Sequence, residues 1–252
     1  MRAPEFWRHD GLLALLLSPA SAVWRHRTAA RMRRIIPEKA GVPVICIGNA
    51  VAGGAGKTPV AMAVADRLLA RGAKPHFLSR GYGGTASEPT LVDPAVHSAQ
   101  EVGDEPLLLA RQAPTWVSRN RVAGARAAVS AGAEMIVLDD GFQNPSLHKD
   151  ISILVVDGGY GFGNRRIMPA GPLREDPDDA IARADALAII GADRYGIEKS
   201  VSGRKQVLAA RFVPRIQDDD LSGKAVLAFA GIGRPDKFFE TLAGMGCELV
   251  ST

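Results

Sequence analysis

The feature that most constrains this chain is a glycine-rich turn between an apolar segment, residues 42–47, and a segment compatible with a helix. Such a turn forms a phosphate-binding loop, because glycine backbones let N–H groups converge on phosphate oxygens at the start of a helix. Lys57 is placed to reach the β- and γ-phosphates, and the Thr58 hydroxyl to ligate Mg²⁺. The sequence therefore predicts a nucleoside triphosphate site. The predicted nucleotide-binding residues are Val51, Ala52, Gly53, Gly54, Ala55, Gly56, Lys57 and Thr58.

The loop departs from the strict phosphate-binding pattern at Val51, where that pattern has glycine. The alternative is a glycine-rich turn that binds nothing. We disfavour it because Lys57 and Thr58, directly after the last glycine, have no structural use there. Pro59 falls in the first turn of the predicted helix, where a missing N–H costs little.

The composition excludes several other classes of protein. At 252 residues with 46% apolar content the chain can bury a substantial core, which excludes disordered and fibrous classes. The two cysteines, Cys46 and Cys247, have neither metal-ligand spacing nor a disulfide pattern, as expected in a reducing compartment. The five histidines show no metal-ligand spacing and no pairing with a Ser or Cys nucleophile, so zinc and hydrolase chemistry have no support.

Short apolar runs alternate with polar or helical segments after the loop, which predicts an α/β fold. We expect a mostly parallel sheet of the P-loop nucleoside triphosphate hydrolase type, with helices on both faces and the site at the carboxyl ends of the strands. A helix is predicted over residues 60–71, stopped by Gly72. The predicted strands cover residues 76–78, 115–117, 135–138, 151–156, 186–190 and 226–229.

Three regions are predicted along the chain. Residues 1–39 form an N-terminal arm, residues 40–220 the nucleotide-binding domain, and residues 221–252 the beginning of a second, smaller lobe. The boundary is placed near residues 217–220, and the lobe is predicted to hold a helix over 236–243 and a strand over 247–250. About thirty residues are too few to fold well alone, so we expect this lobe to be truncated.

The arm combines basic and apolar character. Residues 1–39 hold eight Lys or Arg residues against three acidic ones, and an apolar stretch over 12–17 is flanked by Trp7 and Trp24. The stretch is too short to span a bilayer, which takes about 20 apolar residues. We predict an interfacial helix on an anionic surface, either membrane or nucleic acid. The alternatives are a signal peptide, since residues 20–22 resemble a cleavage site, and a helix packed on the protein's own core.

Two acidic pairs are candidates for metal and proton chemistry. Asp139 and Asp140 follow a predicted strand, where nucleotide enzymes place an acid that holds Mg²⁺; a solvated turn is the alternative. Asp104 and Glu105 precede a helical stretch. Their spacing suits a helix cap or a general base with a metal ligand, and the sequence alone favours the cap.

Arginines near two predicted strand ends are candidates for anion contacts. Arg80 lies in a glycine-rich segment, residues 79–84, and Arg119 and Arg121 follow the strand that ends at Val117. A solvated surface is the alternative for each. The glycines and prolines of residues 157–174 indicate a shaped binding loop.

Seven motifs occur together in a fixed order. They are residues 48–49 (GN), 53–59 (GGAGKTP), 79–84 (SRGYGG), 102–106 (VGDEP), 139–143 (DDGFQ), 169–175 (PAGPLRE) and 229–233 (FAGIG). Together these motifs resemble the tetraacyldisaccharide 4′-kinase family, the lipid A 4′-kinases of Gram-negative bacteria, and the resemblance runs from the apolar arm to the end of the chain.

The resemblance implies ATP- and Mg²⁺-dependent phosphorylation of the 4′-hydroxyl of tetraacyldisaccharide 1-phosphate, giving lipid IVA. It implies a peripheral enzyme at the cytoplasmic face of the inner membrane, whose arm contacts the membrane and which binds no nucleic acid. By the same resemblance Asp104 is the base, in place of the cap. The other implied site residues are Lys57, Arg80 and Arg119 for catalysis and Thr58, Glu105, Asp139 and Asp140 for Mg²⁺.

The sequence departs from the family at two points. Asn144 stands where a His commonly follows the DDGFQ motif. The family also continues into a second lobe with a Phe-Pro-Asp-His-His segment that this chain does not reach. The alternatives are therefore an inactive, truncated nucleotide-binding relative and a membrane-recruited ATPase switch, although such switches usually carry Lys where Ala52 stands.

Overall fold

The structure is a computed structural model and describes residues 4–213, 221–230 and 235–251. It contains an eight-stranded sheet and a separate two-stranded sheet. The strands are β1 (Val44–Gly48), β2 (Pro75–Ser79), β3 (Thr90–Leu91), β4 (Thr115–Val117), β5 (Met135–Asp139), β6 (Ile151–Asp157), β7 (Ala186–Ile190), β8 (Gln206–Ala210), β9 (Ala225–Leu227) and β10 (Glu248–Ser251). The helices are α1 (Leu12–Arg34), α2 (Lys57–Leu69), α3 (Ala99–Val102), α4 (Asp104–Leu109), α5 (Arg121–Ser130), α6 (Pro177–Arg183), α7 (Ile197–Val201) and α8 (Pro235–Gly244).

The large sheet has the strand order β3-β4-β2-β5-β1-β6-β7-β8. Its strands run parallel, apart from the short edge strand β3, which pairs antiparallel with β4. The strand that feeds the phosphate loop, β1, lies between β5 and β6. In the register of these strands Ile47 is level with Asp139, so the phosphate loop and the acidic end of β5 leave the sheet side by side.

Helices cover both faces of this sheet, as predicted. Side chains of successive strand residues point to opposite faces, and β1 shows this, since Cys46 belongs to one core cluster and Ile47 to the other. The first cluster includes Ala125 of α5 and the second Ala65 of α2. A core on each face explains why the central strands are apolar without interruption.

The six predicted strands are confirmed, and the predicted helix is found three residues earlier than expected, beginning at Lys57. The sequence reading missed β3 and β8. Only two residues form β3, and β8 is an exposed edge strand with Val207 as its one β-branched residue. Neither segment carries the β-branched run that marks a buried strand.

Beyond the large sheet, β9 and β10 pair in parallel and α8 connects them, which confirms the predicted helix and strand of this region. The predicted boundary at residues 217–220 and the motif residues 231–233 lie outside the described residues. The division into residues 1–39, 40–220 and 221–252 therefore stays a prediction.

The arm forms one long helix, α1, after a short 3₁₀ turn, Glu5–Trp7. The buried residues of α1 are Ala14 and Ser21. Packing of this helix on the protein's own core, the alternative to an interfacial helix, is therefore limited to one narrow face of the helix. Leu12, Leu15 and Leu16 are 75%, 59% and 68% exposed. Among the residues described, no helix is both long and apolar enough to cross a bilayer.

A substitution at Gly48, the last residue of β1, tests how closely the site is built against the sheet. A Cβ added there would lie 2.4 Å from Phe142 Cβ, and such a clash costs about 1–3 kcal/mol. We expect Gly48→Ala to lower the free energy of unfolding in urea by that amount. Gly54→Ala is the matched control, because an added Cβ meets nothing within 4 Å there. Equal stability of the two variants would contradict this packing.

Candidate active site

The phosphate loop takes the backbone conformation that its glycines allow. Gly53 and Gly56 have φ values of 111° and 88°, which favour glycine over residues with a Cβ. The Asn49 side chain donates to the Gly53 carbonyl at 3.4 Å. The last glycine directly precedes α2, so Lys57 and Thr58 lie in its first turn, at the positive end of the helix dipole.

Both residues of that turn contact the acidic end of β5. The Thr58 hydroxyl donates to Asp139 Oδ2 at 3.2 Å, and Lys57 Nζ lies 3.7 Å from Asp140 Oδ1. Lys57, Thr58 and Asp139 are buried. The structure therefore brings together four of the residues that the sequence predicted for the site, at the end of the sheet where the prediction placed them.

The two neighbouring aspartates have opposite electrostatic character. Burial, with the negative charge of Glu105, raises the pKa of Asp139 to about 7. For Asp140 burial acts in the same direction, but Lys57 and Arg174 outweigh it and lower its pKa. Asp140 also has a φ of 52°, an uncommon value for a residue other than glycine. Strain of this kind clusters at functional sites.

Glu105 joins this group from the first turn of α4. Its carboxylate interacts with Lys57 and the Thr58 hydroxyl, and desolvation raises its pKa. The neighbouring Asp104 is exposed, and its Oδ1 accepts the Glu105 backbone N–H at 2.9 Å. The interpretation of the acidic pair as a helix cap is wrong, because the N-cap residue of α4 is Gly103. Asp104 nevertheless accepts one backbone amide of the first turn.

Glycines bring the segment that carries Arg80 against the residues before Asp104. A Cβ on Gly84 would lie 2.6 Å from the Glu101 carbonyl oxygen, and one on Gly103 would lie 2.9 Å from that of Tyr82. Only residues without a Cβ permit this approach. It places the Arg80 segment beside the turn between α3 and α4.

The candidate arginines differ in their placement. Arg119 is exposed and donates to the Gly84 carbonyl at 3.3 Å, and Arg80 is also exposed. Arg121, in the first turn of α5, is buried, and desolvation, followed by the positive charge of Arg80, lowers its pKa to about 10. The charges of Asp139 and Asp140 oppose this shift.

In the sequence Arg121 was one of several arginines that follow a predicted strand. Its position at the start of a helix could have distinguished it from the others. A cation in the first turn of a helix opposes the helix dipole, so it needs acids nearby. The site supplies them.

Arg174 was missed, although its motif was recognised. Its Nη1 donates to Asp140 Oδ1 at 2.8 Å and to Gln143 Oε1 at 3.4 Å. The next residue, Glu175, accepts from Gln143 Nε2 at 2.8 Å and pairs with Arg183 Nη2 at 2.6 Å. The segment that follows residue 170 therefore forms one wall of the acidic site.

Several buried polar side-chain atoms of the site have no hydrogen-bond partner among the residues described. Of the four such side-chain atoms in the part of the chain that the structure describes, three lie here: Asn49 Oδ1, Arg121 Nε and Asp139 Oδ1. They offer acceptors and a cationic donor, which suits a magnesium–phosphate ligand. No three His, Cys, Asp or Glu side chains of the described residues could hold a metal by themselves. Mg²⁺ usually takes one or two carboxylates and completes its shell with phosphate oxygens and water, so the residues fit it when nucleotide is present.

Comparison with known proteins agrees with this geometry. The family model described as tetraacyldisaccharide-1-P 4′-kinase (LpxK) matches residues 13–252. The tetraacyldisaccharide 4′-kinase of Paramagnetospirillum magneticum is 55% identical over 252 residues, which are 100% of this chain and 78% of the relative. That of Rhodospirillum rubrum is 52% identical over 255 residues, covering 100% of this chain and 77% of the relative.

A solved structure is similar to this chain in both fold and sequence. The crystal structure of LpxK from Aquifex aeolicus in complex with ATP matches with a TM-score of 0.76 and 29% identity, over 95% of this chain and 81% of that one. The predicted α/β fold of the P-loop kinase type is thereby confirmed. On sequence and structure together, this chain belongs to the tetraacyldisaccharide 4′-kinase family.

Proposed function

We propose that this chain transfers the γ-phosphoryl group of ATP to the 4′-hydroxyl of tetraacyldisaccharide 1-phosphate, giving lipid IVA for lipid A biosynthesis. The observation that carries the proposal is the contact of Lys57 and Thr58 with Asp140 and Asp139. It joins a phosphate loop to an acidic strand end, as phosphoryl transfer requires. The family membership supplies the acceptor.

The phosphate loop binds the nucleotide. Backbone amides of the phosphate loop would contact the phosphates, apart from those of Ala52 and Ala55, which donate to the Pro172 and Gly53 carbonyls; the start of α2 adds its positive dipole. Lys57, held near Asp140 in the free site, neutralises charge on the β- and γ-phosphates. Phosphoryl transfer needs alignment and charge neutralisation more than covalent help, so a rigid loop and a buried ammonium are suited to it.

The residues proposed for Mg²⁺ are Thr58, Glu105, Asp139 and Asp140, of which one or two carboxylates would ligate the ion directly and the rest through water. When bound, the ion neutralises phosphate charge and orients the triphosphate. Asp139 Oδ1 is the clearest ligand, because it is a buried carboxylate oxygen without a protein partner. Arg174 holds Asp140 in place through the same oxygen that Lys57 approaches, Oδ1.

Asp104 is the proposed base that accepts the proton of the 4′-hydroxyl. It is exposed at the start of α4, so an acceptor sugar can reach it from solvent; the neighbouring Glu105 is exposed as well, and its carboxylate interacts with Lys57 and Thr58. Arg121 is buried and its charge interacts with those of Asp139 and Asp140, and its proposed role is to neutralise charge on the transferring phosphate. Arg80 and Arg119 lie on the exposed rim, where a phosphate or sugar contact remains our prediction.

The arm serves as the proposed membrane contact, at the cytoplasmic face of the inner membrane. The exposed leucines near the start of α1 precede a half that carries Arg25, Arg27, Arg31, Arg33 and Arg34. Apolar side chains that enter the headgroup region and cations that attract anionic lipids are the two components of interfacial binding. A glycolipid acceptor accounts for this need, since its acyl chains stay in the membrane while its sugar reaches the site.

The reaction is tested with γ-labelled ATP and tetraacyldisaccharide 1-phosphate in detergent micelles. We expect wild type to form labelled product. Lys57→Ala should abolish it because phosphate charge is no longer neutralised, whereas Asp104→Asn should abolish transfer but leave ATP affinity within about threefold, since only the base is removed. Lys74→Ala, an exposed lysine paired with Glu134, is the control. Normal transfer by Asp104→Asn would refute the base, and ATP binding by wild type without transfer would refute the kinase.

The buried Asp139 predicts a pH dependence of stability. Its pKa is about 7 in the folded protein against 3.8 for the ordinary carboxyl. The folded state therefore binds more protons, and the stability from this group is present below pH 4 and lost as the pH rises through 7. In ligand-free protein with chelator we expect Asp139→Asn to raise the Tm by a few degrees at pH 8 and by about half as much or less at pH 5, because the loss of stability begins as the unfolded-state carboxyl ionises near pH 3.8 and is complete only above pH 7. Glu88→Gln, an exposed carboxylate, is the control; a gain independent of pH would contradict the assignment.

Membrane binding is tested by sedimentation with liposomes that contain anionic phospholipid. We expect wild type to sediment and a variant with Leu12, Leu13, Leu15 and Leu16 all changed to Ser to lose most binding, because these exposed side chains supply the apolar contact. Higher salt should weaken wild-type binding by screening the arginines. Substitution of the exposed Leu91 and Val96 by Ser is the matched control. Unchanged sedimentation of the arm variant would refute the membrane contact.

A further inference from the structure

Residues 164–174, here called the bridging loop, lie between the N-terminal arm and the phosphate loop and are bonded to both. On the arm side, the Asn164 backbone N–H donates to the Trp7 carbonyl at 2.8 Å, and Trp7 Nε1 donates to the Pro169 carbonyl at 3.1 Å. Arg166 pairs with Asp10 at 2.6 Å and donates to Ser18 Oγ at 2.8 Å. The arm is therefore attached to this loop along several of its residues.

Ser21 is the central point of this attachment. Its buried hydroxyl donates to the Ile167 carbonyl at 2.7 Å and accepts the Ala170 backbone N–H at 3.1 Å. A helical serine commonly bonds back to the carbonyl four residues earlier, but here that contact, to Leu17, is the longer one at 3.3 Å. The hydroxyl thus fixes two backbone groups of the bridging loop.

The other side of the bridging loop holds the phosphate loop. The Ala52 N–H donates to the Pro172 carbonyl at 2.7 Å, and the Arg174 N–H donates to the Ala50 carbonyl at 2.8 Å. Val51 and Leu173 pair between these two bonds as an antiparallel bridge. Arg174 then extends its guanidinium to Asp140, while Trp24 Nε1 of α1 donates to the Arg174 carbonyl at 3.2 Å.

Internal bonds keep the two sides of the loop in a fixed relation. The Leu173 N–H donates to the Arg166 carbonyl at 3.0 Å and the Met168 N–H to the Leu173 carbonyl at 2.8 Å. The residues that Ser21 holds and the residue that contacts Asp140 thus belong to one bonded frame.

We infer that Ser21 and Trp24 are positioning residues for phosphoryl transfer: through the bridging loop, α1 holds Arg174 and the first residues of the phosphate loop in their catalytic arrangement. The inference rests on the proposed kinase function. It gives the arm a second task beside membrane contact, carried out by different side chains of the same helix. The exposed leucines face outward, whereas the Ser21 hydroxyl faces the bridging loop.

The test is Ser21→Ala, assayed in detergent micelles so that delivery from a bilayer plays no part. We expect kcat to fall about 5- to 30-fold, the loss that corresponds to one or two hydrogen bonds, with the KM for the glycolipid within twofold of wild type. Ser200→Ala is the matched control: its hydroxyl donates to the Ile197 carbonyl within α7 and has no contact with the bridging loop. Equal kcat values for the two variants would overturn the inference.

A double-mutant cycle with Arg174→Ala separates positioning from general loss of stability. We expect Ser21→Ala to cost less in kcat when Arg174 is absent than in wild type, because the part transmitted through the Arg174 guanidinium is already lost while the backbone bonds to Ala50 and Ala52 remain. A full additive loss would overturn the inference. Trp24→Phe keeps an aromatic ring but removes the N–H donor to Arg174 together with the pyrrole part of the indole, and we expect a smaller loss, about two- to fivefold, with the same non-additivity.

Binding of a fluorescent ATP analogue distinguishes failure of this inference from failure of the proposed function. We expect Ser21→Ala to weaken analogue binding at least threefold and Ser200→Ala to leave it unchanged, whether or not the chain transfers phosphate. Unaltered binding and unaltered kcat in Ser21→Ala, with an active wild type, would leave the kinase standing and remove the positioning role.

Discussion

The contact between the first turn of α2 and the end of β5 is the constraint on which the rest of the site depends. It exists because β1 and β5 are neighbours in register, with Ile47 level with Asp139. This contact is electrostatically costly, because buried carboxylates are stable only when positive charges and hydrogen-bond donors surround them. Lys57, Thr58 and Arg174 are those partners, and they come from two separate parts of the chain, the first turn of α2 and the segment after residue 170. An arrangement unfavourable in the free protein is well suited to a ligand that brings its own cation and phosphates.

What the sequence could predict follows from how local each signal is. Lys57 and Thr58 were placed correctly because a glycine-rich turn after an apolar strand fixes their position within a few residues. Asp139 and Asp140 were placed because they end a strand, and the carboxyl ends of parallel strands share one edge. The glycine-rich loop already indicated a nucleotide with Mg²⁺, whereas the family resemblance, carried by motifs along the whole chain, supplied the acceptor, which no local pattern contained.

The residues that were missed depend on contacts between distant segments. Arg174 reaches Asp140 across 34 residues of sequence, and no periodicity reports such a contact. The edge strand β8 was missed because strand propensity weakens where one side of a strand is exposed. The cap at α4 went to Gly103 because the backbone there approaches Tyr82 too closely for any side chain. Each miss is a case in which tertiary packing outweighed local preference.

The left-handed conformation of Asp140 has a consequence for how the site can vary. Neighbouring residues on a strand send their side chains to opposite faces, yet Asp139 contacts Thr58 while Asp140 contacts Lys57 in the same turn of the same helix. The backbone reversal at φ 52° is what lets two consecutive carboxylates grip adjacent residues. Aspartate, asparagine and glycine tolerate that conformation far better than longer or branched residues. At this position the backbone conformation, as well as the chemistry, limits which residues can replace the aspartate. A glutamate would keep the charge and lose the geometry.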